Sequence, residues 1–236
     1  MRLDQYIKET LQISRSKAHD LIKLKSVRIN GEIIDKPAYI VKETDNVVIL
    51  ETLKYASRAG MKLEEAIEAF NLDFKDKTIL DIGSSTGGFS DCSLAYGAKH
   101  IYAYDVGINQ MIDRLRHDKR ITLKEGTNIL SVNPEVVDIC LIDVSFTSIK
   151  PIIKHLKHNA KHYVLLFKPQ FEVGKEHVKK GIVKDQKIVE KALRSFQTFL
   201  EELSIYVMNY KPVLKGKKGN QEYIFSCIKD VRKTYH

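Results

Sequence analysis

The sequence predicts an α/β protein: a doubly wound, mostly parallel sheet with its last strand antiparallel, preceded by a small α+β domain. Three observations carry that reading. From residue 77 onward, strand-like apolar runs alternate with helical patterns, the order of a parallel sheet. Residues 1–50 carry their own turns and close on their own apolar run. The last two apolar runs, Leu203–Met208 and Tyr223–Ile228, follow one another without a helix between them, so a hairpin reverses the last strand.

In the small domain, Leu3, Tyr6, Ile7 and Leu11 recur at helical spacing, and Ser14 offers a cap to a second helix from Arg15 to Ile22. Val27-Arg28-Ile29 and Glu32-Ile33-Ile34 flank Asn30-Gly31, the pattern of a two-residue hairpin, and Val47-Val48-Ile49-Leu50 closes the unit. Residues 51–60 read as a linker and residues 61–236 as the second domain. There Leu63, Ala66, Ile67 and Phe70 share one face of an opening helix. Strand–helix pairs follow: Thr78–Ile82 with Phe89–Tyr96, His100–Asp105 with Gln110–Leu115, and Val137–Asp143 with Ile149–Leu156. A strand at Tyr163–Phe167 and a helix at Lys187–Leu203, with Ile188, Ala192, Phe196 and Phe199 inward, complete the alternation.

Composition limits the functions open to such a chain. Its 236 residues are 43% hydrophobic and 29% charged, enough to bury a core. No apolar stretch is long enough to span a membrane and no secretory leader is recognisable, so a cytoplasmic protein is expected. Cys92, Cys140 and Cys227 lack metal-type spacing and read as buried free thiols. With 39 Lys+Arg against 30 Asp+Glu, the formal charge of +9 calls for a polyanionic partner: RNA, DNA or an acidic membrane surface.

The most informative string is Asp81-Ile82-Gly83-Ser84-Ser85-Thr86-Gly87-Gly88-Phe89-Ser90-Asp91, at the carboxyl end of the first strand of the large domain, where open α/β sheets hold ligands. No Lys-Ser or Lys-Thr follows its glycines, so it is not a nucleotide-triphosphate loop. Ser85 replaces the glycine that admits a pyrophosphate. Such a turn suits a nucleoside on an uncharged linker, as in S-adenosyl-L-methionine, and Asp105 ends the next strand, where a carboxylate can accept both ribose hydroxyls. Four ionisable residues also fall at rim positions: Lys62, Asp143, Lys168 and Glu222. Singly each reads as a surface residue; together they can converge on one point. His155, His158 and His162 read as one helical face, but no carboxylate or cysteine completes a ligand set, so no metal is expected.

The small domain resembles the RNA-binding domain first recognised in ribosomal protein S-four, through Arg2-Leu3-Asp4, Ser14-Arg15-Ser16-Lys17-Ala18, Val27-Arg28-Ile29-Asn30-Gly31 and Lys36-Pro37. Lys25-Ser26 stands where that family carries a glycine. Arg2, Arg15, Lys17, Lys23, Lys25 and Arg28, with Arg58 beyond the linker, are the expected RNA contacts. The Asp81–Phe89 string resembles the FtsJ-like RNA methyltransferases, which implies a Rossmann-like S-adenosylmethionine-dependent methyltransferase fold. The resemblance places Asp81, Gly83, Ser84, Ser85, Thr86, Gly87, Gly88 and Phe89 around the methionine part, with Asp143 beside it, and Asp105, Val106, Thr127 and Asn128 near the adenosine. Lys62, Asp143, Lys168 and Glu222 resemble the Lys-Asp-Lys-Glu tetrad of ribose 2′-O-methyltransferases. That implies Lys168 as base, Lys62 repelling its charge, and the two carboxylates orienting the ammonium groups.

The whole chain is similar to the TlyA-type rRNA methyltransferases, also labelled hemolysin A, through Arg58-Ala59-Gly60-Met61-Lys62-Leu63, Thr127-Asn128-Ile129, Lys180-Gly181-Ile182-Val183-Lys184-Asp185 and Gly219-Asn220-Gln221-Glu222-Tyr223. Ala59 replaces a usual glycine and Leu130 a usual arginine. The resemblance implies methylation of a cytidine ribose in large-subunit rRNA, with rRNA or a ribosomal subunit as partner; the sequence does not give the oligomeric state, and a monomer is favoured. Further lysines suit such a substrate: Lys150, Lys154, Lys157 and Lys161, then Lys175, Lys179, Lys180 and Lys184, then Lys211, Lys215, Lys217 and Lys218. The alternatives are a non-catalytic ribosome-assembly protein, against which the tetrad speaks, and a membrane-acting hemolysin, against which the lack of a strongly apolar amphipathic segment speaks.

Overall fold

A computed structural model describes residues 1–50, 54–216 and 219–230. The small domain packs helices α1 (Leu3–Leu11) and α2 (Arg15–Lys23) on an antiparallel sheet of β1 (Val27–Ile29), β2 (Glu32–Ile33) and β3 (Val47–Ile49), in the order β2-β1-β3. Ser14 caps α2, accepting from Lys17 N. Asn30 and Gly31 both take positive φ, +53° and +86°, as a mirror-image hairpin turn requires. At the end of α2, Lys25 itself adopts the left-handed conformation, φ +61°, that the missing glycine would supply. Leu3, Ile7, Ala18, Leu21, Ile22 and Val27 form the core.

The large domain is a seven-stranded sheet in the order β6-β5-β4-β7-β8-β10-β9. Its strands are β4 (Thr78–Ile82), β5 (His100–Tyr104), β6 (Ile121–Lys124), β7 (Val137–Ile142), β8 (Ala160–Phe167), β9 (Ile205–Val213) and β10 (Glu222–Lys229). The first five are parallel, and β10 runs antiparallel to both β8 and β9. Helices α3 (Arg58–Phe70) and α4 (Gly88–Ala95) cover one face; α6 (Lys150–Leu156) and α8 (Gln186–Glu202) cover the other. Both faces are buried, which is why the central strands read as continuous apolar runs. The three cysteines lie inside, unpaired.

Three expectations are corrected. The helix expected at Gln110–Leu115 shrinks to α5 (Asp113–Arg116), because Ile112 is extended (ψ 148°), while the N–H groups of Asn109, Gln110 and Met111, donated to the Glu125 carboxylate, hold the residues before it in a loop. His155, His158 and His162 share no helical face: α6 stops at Leu156, and His162 lies in β8. The segment 51–60, read as linker, is partly domain. Helix α3 starts at Arg58 with Ser57 as its cap, and Tyr55 and Ala56 are buried, the Ala56 N–H held by Asp91 at 2.7 Å. Residues 51–53 of that segment, and Lys217 and Lys218 of the last lysine run, lie outside the described residues.

Candidate active site

The sheet order makes β4 and β7 central neighbours, with β5 and β8 outside them, so residues at their carboxyl ends surround one opening. The turn after β4 is built for close approach. Gly83 (φ +83°) could not carry a side chain, since a Cβ there would stand 2.5 Å from the Asp143 carbonyl oxygen. Ser85 is also left-handed, at φ +47°, and Gly87 (φ +94°) leads into α4.

Asp105, just past β5, accepts Ser85 N at 2.8 Å and Gly107 N at 2.7 Å, which fixes its carboxylate beside the turn. Thr127 N donates to the Asp105 carbonyl, and the Asn128 side chain accepts Leu130 N, so both expected adenosine contacts stand at the same edge. A cavity of about 540 Å³ opens here between Asp105, Val106, Thr127, Asn128, Ile129 and Ile152. Beneath the turn Asp81 is fully buried. Ser90 donates to one of its oxygens at 2.6 Å; the other, like Ser84 Oγ, has no hydrogen-bond partner among the described residues. Burial, with Asp143 and Asp105 nearby, pushes the Asp81 carboxyl up to about 7. The Asp105 carboxylate, apolar walls and orphaned polar atoms at the turn fit a nucleoside cofactor.

A second cavity, of about 910 Å³, adjoins the first and shares Gly83, Ser85, Asp143, Ser145 and Phe146 with it. Ser84, Thr86, Gly88 and Phe89 line it, and so do all four tetrad residues. These form two pairs. Lys62 Nζ donates to Glu222 Oε2 at 2.5 Å, and Lys168 Nζ lies 2.6 Å from Asp143 Oδ1 and donates to Ser145 Oγ at 2.9 Å. Lys62 and Lys168 are each only 8% exposed, a burial that lysine tolerates only with partners.

The expected RNA contacts separate. Lys17 and Arg58 line the larger cavity together with Ser14 and Ser16 of the small domain, so the two domains share one wall of it. Arg58 donates to the Lys215 carbonyl. Arg2 and Arg15 instead converge on the buried Asp4, whose carboxyl is held down to about 2, first by the Arg2 hydrogen bond. Lys23 donates to the Asp35 carbonyl, and Lys23, Lys25 and Arg28 are exposed away from the cavity.

Sequence reasoning missed three supporting residues. Burial works against ionisation of Glu125, but N–H groups from Asn109 and Gln110, with Arg116 and Met111, hold its carboxyl down to about 2 and strap the 107–112 loop beside Asp105. Asn220 is buried; it accepts Val183 N at 3.0 Å and donates to the Gly181 carbonyl at 2.7 Å, tying the Lys180–Asp185 segment to the strand that carries Glu222. Asp91 joins Ala56 at the domain junction to Arg114 of α5. Asn220 and Asp91 stood within sequence motifs, Gly219–Tyr223 and Asp81–Asp91; Glu125 carried no such signal.

Comparison with known proteins gives a consistent set. Residues 55–229 match the family model for FtsJ-like methyltransferases, and residues 1–47 match that for the S4 domain. The chain is 41% identical to hemolysin A of Brachyspira hyodysenteriae, over 97% of this chain and all of that one. It is 37% identical to the 23S rRNA (cytidine-2′-O)-methyltransferase TlyA of Campylobacter jejuni, over 98% of this chain and all of that one. A solved structure of a hemolysin-like protein from Streptococcus thermophilus superposes with a TM-score of 0.78 at 34% identity, over 98% of this chain and 89% of that one.

Proposed function

The chain belongs to the FtsJ-like methyltransferases of the TlyA type, and from that premise we propose that it methylates the ribose 2′-hydroxyl of a cytidine in large-subunit rRNA, using S-adenosyl-L-methionine, in the cytoplasm. The observation that carries this reading is the meeting of two cavities at Asp143, with a buried lysine paired to that carboxylate. The smaller cavity takes the nucleoside of the cofactor. Asp105 accepts the ribose hydroxyls, Val106 and Ile129 flank the base, and the methionine end passes along the Gly83–Phe89 turn into the edge of the larger cavity. When bound, S-adenosylmethionine supplies a methyl group on a sulfonium, a leaving group already in place.

The larger cavity takes the acceptor nucleotide, and the protein's work there is orientation and proton removal. Lys168 takes the proton from the 2′-hydroxyl. Asp143 balances the ammonium that results. Lys62, held by Glu222, faces the same cavity as a fixed cation and orients the acceptor's oxygens. Lys17 and Arg58 on the shared wall bind flanking phosphates, which makes the small domain part of the substrate channel as well as an anchor.

The direct test incubates the purified protein with isotope-labelled S-adenosylmethionine and either naked rRNA or isolated subunits, then maps ribose methylation by resistance to alkaline cleavage. One cytidine of the large-subunit rRNA should gain the label. Label on a base, or binding of rRNA without transfer under any condition, would replace this reading with base methylation or with a non-catalytic assembly role.

A further inference from the structure

A lysine serving as base must do more than lose a proton: it must point its lone pair at the acceptor. Its side chain turns about several single bonds and its amine spins freely, so something has to fix both. At Lys168 two contacts do so. Nζ lies 2.6 Å from Asp143 Oδ1, and it donates to Ser145 Oγ at 2.9 Å.

Ser145 is itself held in an unusual place. It lies past the end of β7, and the next residue, Phe146, adopts a left-handed φ of +69°, a costly conformation for a bulky side chain. The chain therefore turns sharply here, and Ser145 lines both cavities at their junction. A strained turn beside a reacting group marks a position the fold maintains for a purpose.

We propose that Ser145 is a positioning residue for Lys168: by accepting one N–H, it turns the amine so that its lone pair faces the acceptor cavity. A neutral amine has two N–H groups and one lone pair. With one N–H on Ser145 and the other toward Asp143, the remaining tetrahedral direction is the lone pair. When the acceptor's O–H bond breaks, its proton takes that direction and its electron pair stays on oxygen to form the new bond to the methyl carbon, whose bond to sulfur would break with its pair returning to the sulfur of the departing thioether. The resulting ammonium keeps the Ser145 bond and gains the Asp143 charge. The inference rests on the assignment of Lys168 as base.

A double-mutant cycle on the full chain tests it, with single-turnover methylation of the rRNA substrate and calorimetric cofactor affinity as readouts. Ser145→Ala should slow the methyl-transfer step roughly tenfold to a hundredfold, the range for a lost hydrogen bond to a charged group, with cofactor and RNA affinities unchanged. In a Lys168→Ala background the same substitution should cost nothing further. Ser145→Thr, which keeps the hydroxyl, should recover most of the rate. A wild-type rate in Ser145→Ala overturns the inference, as does an equal loss in both backgrounds, which would mean that Ser145 acts independently of the lysine. A fast Lys168→Ala enzyme would sink the base assignment instead, so the two failures are distinguishable.

Discussion

Gly60 in α3 packs directly on Gly88 at the start of α4: a Cβ added to Gly60 would stand 2.7 Å from the Gly88 carbonyl oxygen and 2.5 Å from Tyr55 Cβ. The contact is reciprocal, since a Cβ on Gly88 would meet Gly60 N at 3.1 Å and Ser57 Oγ at 2.3 Å. Two residues beyond Gly60 stands Lys62, and Gly88 belongs to the Gly83–Phe89 cofactor turn. The glycine pair therefore sets the distance between the first tetrad lysine and the turn.

Gly60→Ala should accordingly destabilise the protein by about 1–3 kcal/mol, the usual cost of overpacking, although alanine favours a helix elsewhere. Urea unfolding measures it. A neutral or stabilising result would mean that α3 can slide away from α4 at no cost.

Asp105→Ala should weaken S-adenosylmethionine binding by roughly 1–3 kcal/mol, because the ribose hydroxyls lose their acceptor and the N–H groups of Ser85 and Gly107 lose theirs. Calorimetry is the check, and unchanged affinity would remove Asp105 from the site.

Acid should loosen two places in particular. Glu125 and Asp4 are both held down to about 2, against ordinary values of 4.5 and 3.8. For a carboxyl lowered in the folded state, the stabilisation is complete above its ordinary value and is lost as pH falls toward the folded one. The 107–112 loop should therefore lose hydrogen-exchange protection, and the small domain should lose stability, as pH drops from about 4.5 to 2. Glu125→Gln should show the loop's loss already at neutral pH. Equal protection of that loop at pH 7 and pH 3 would show that Glu125 does not strap it.

Most of the framework was legible because it is local. The alternation from Thr78 onward, the Asn30-Gly31 turn and the glycine-rich string after β4 are each written in a few consecutive residues. The tetrad was found as four residues, but their pairing was not. Lys62 meets Glu222 across 160 residues, and only the strand order that places β10 beside β8 determines that partner. Arg2 and Arg15 were legible as basic residues, but charge in sequence does not disclose the buried Asp4 that both pair with while their side chains stay 43% and 62% exposed. The helix expected at Gln110–Leu115 is shortened by a partner equally hidden in sequence: Glu125, past the end of the next strand, holds the N–H groups of Asn109, Gln110 and Met111 in a loop, and Ile112 stays extended before Asp113.

The base assignment is the most exposed claim. Lys168→Ala should reduce the single-turnover rate at least about a hundredfold with cofactor affinity nearly constant, since general-base catalysis contributes roughly 10² to 10⁴. Lys168 is buried against Asp143, so removal also leaves that carboxylate unpaired, and some loss of stability will accompany the loss of rate. Thermal unfolding separates the two: the rate deficit must persist under conditions where the variant is fully folded. Lys168→Arg preserves the charge beside Asp143 yet cannot give up a proton near neutral pH, so it should restore stability without restoring rate. If the arginine variant kept near-native turnover on the same rRNA, the side chain would be acting only as a positive charge. The 2′-hydroxyl proton would then have to leave to Asp143 or to water, and Asp143→Asn, which retains the shape but not the basicity, would decide between them.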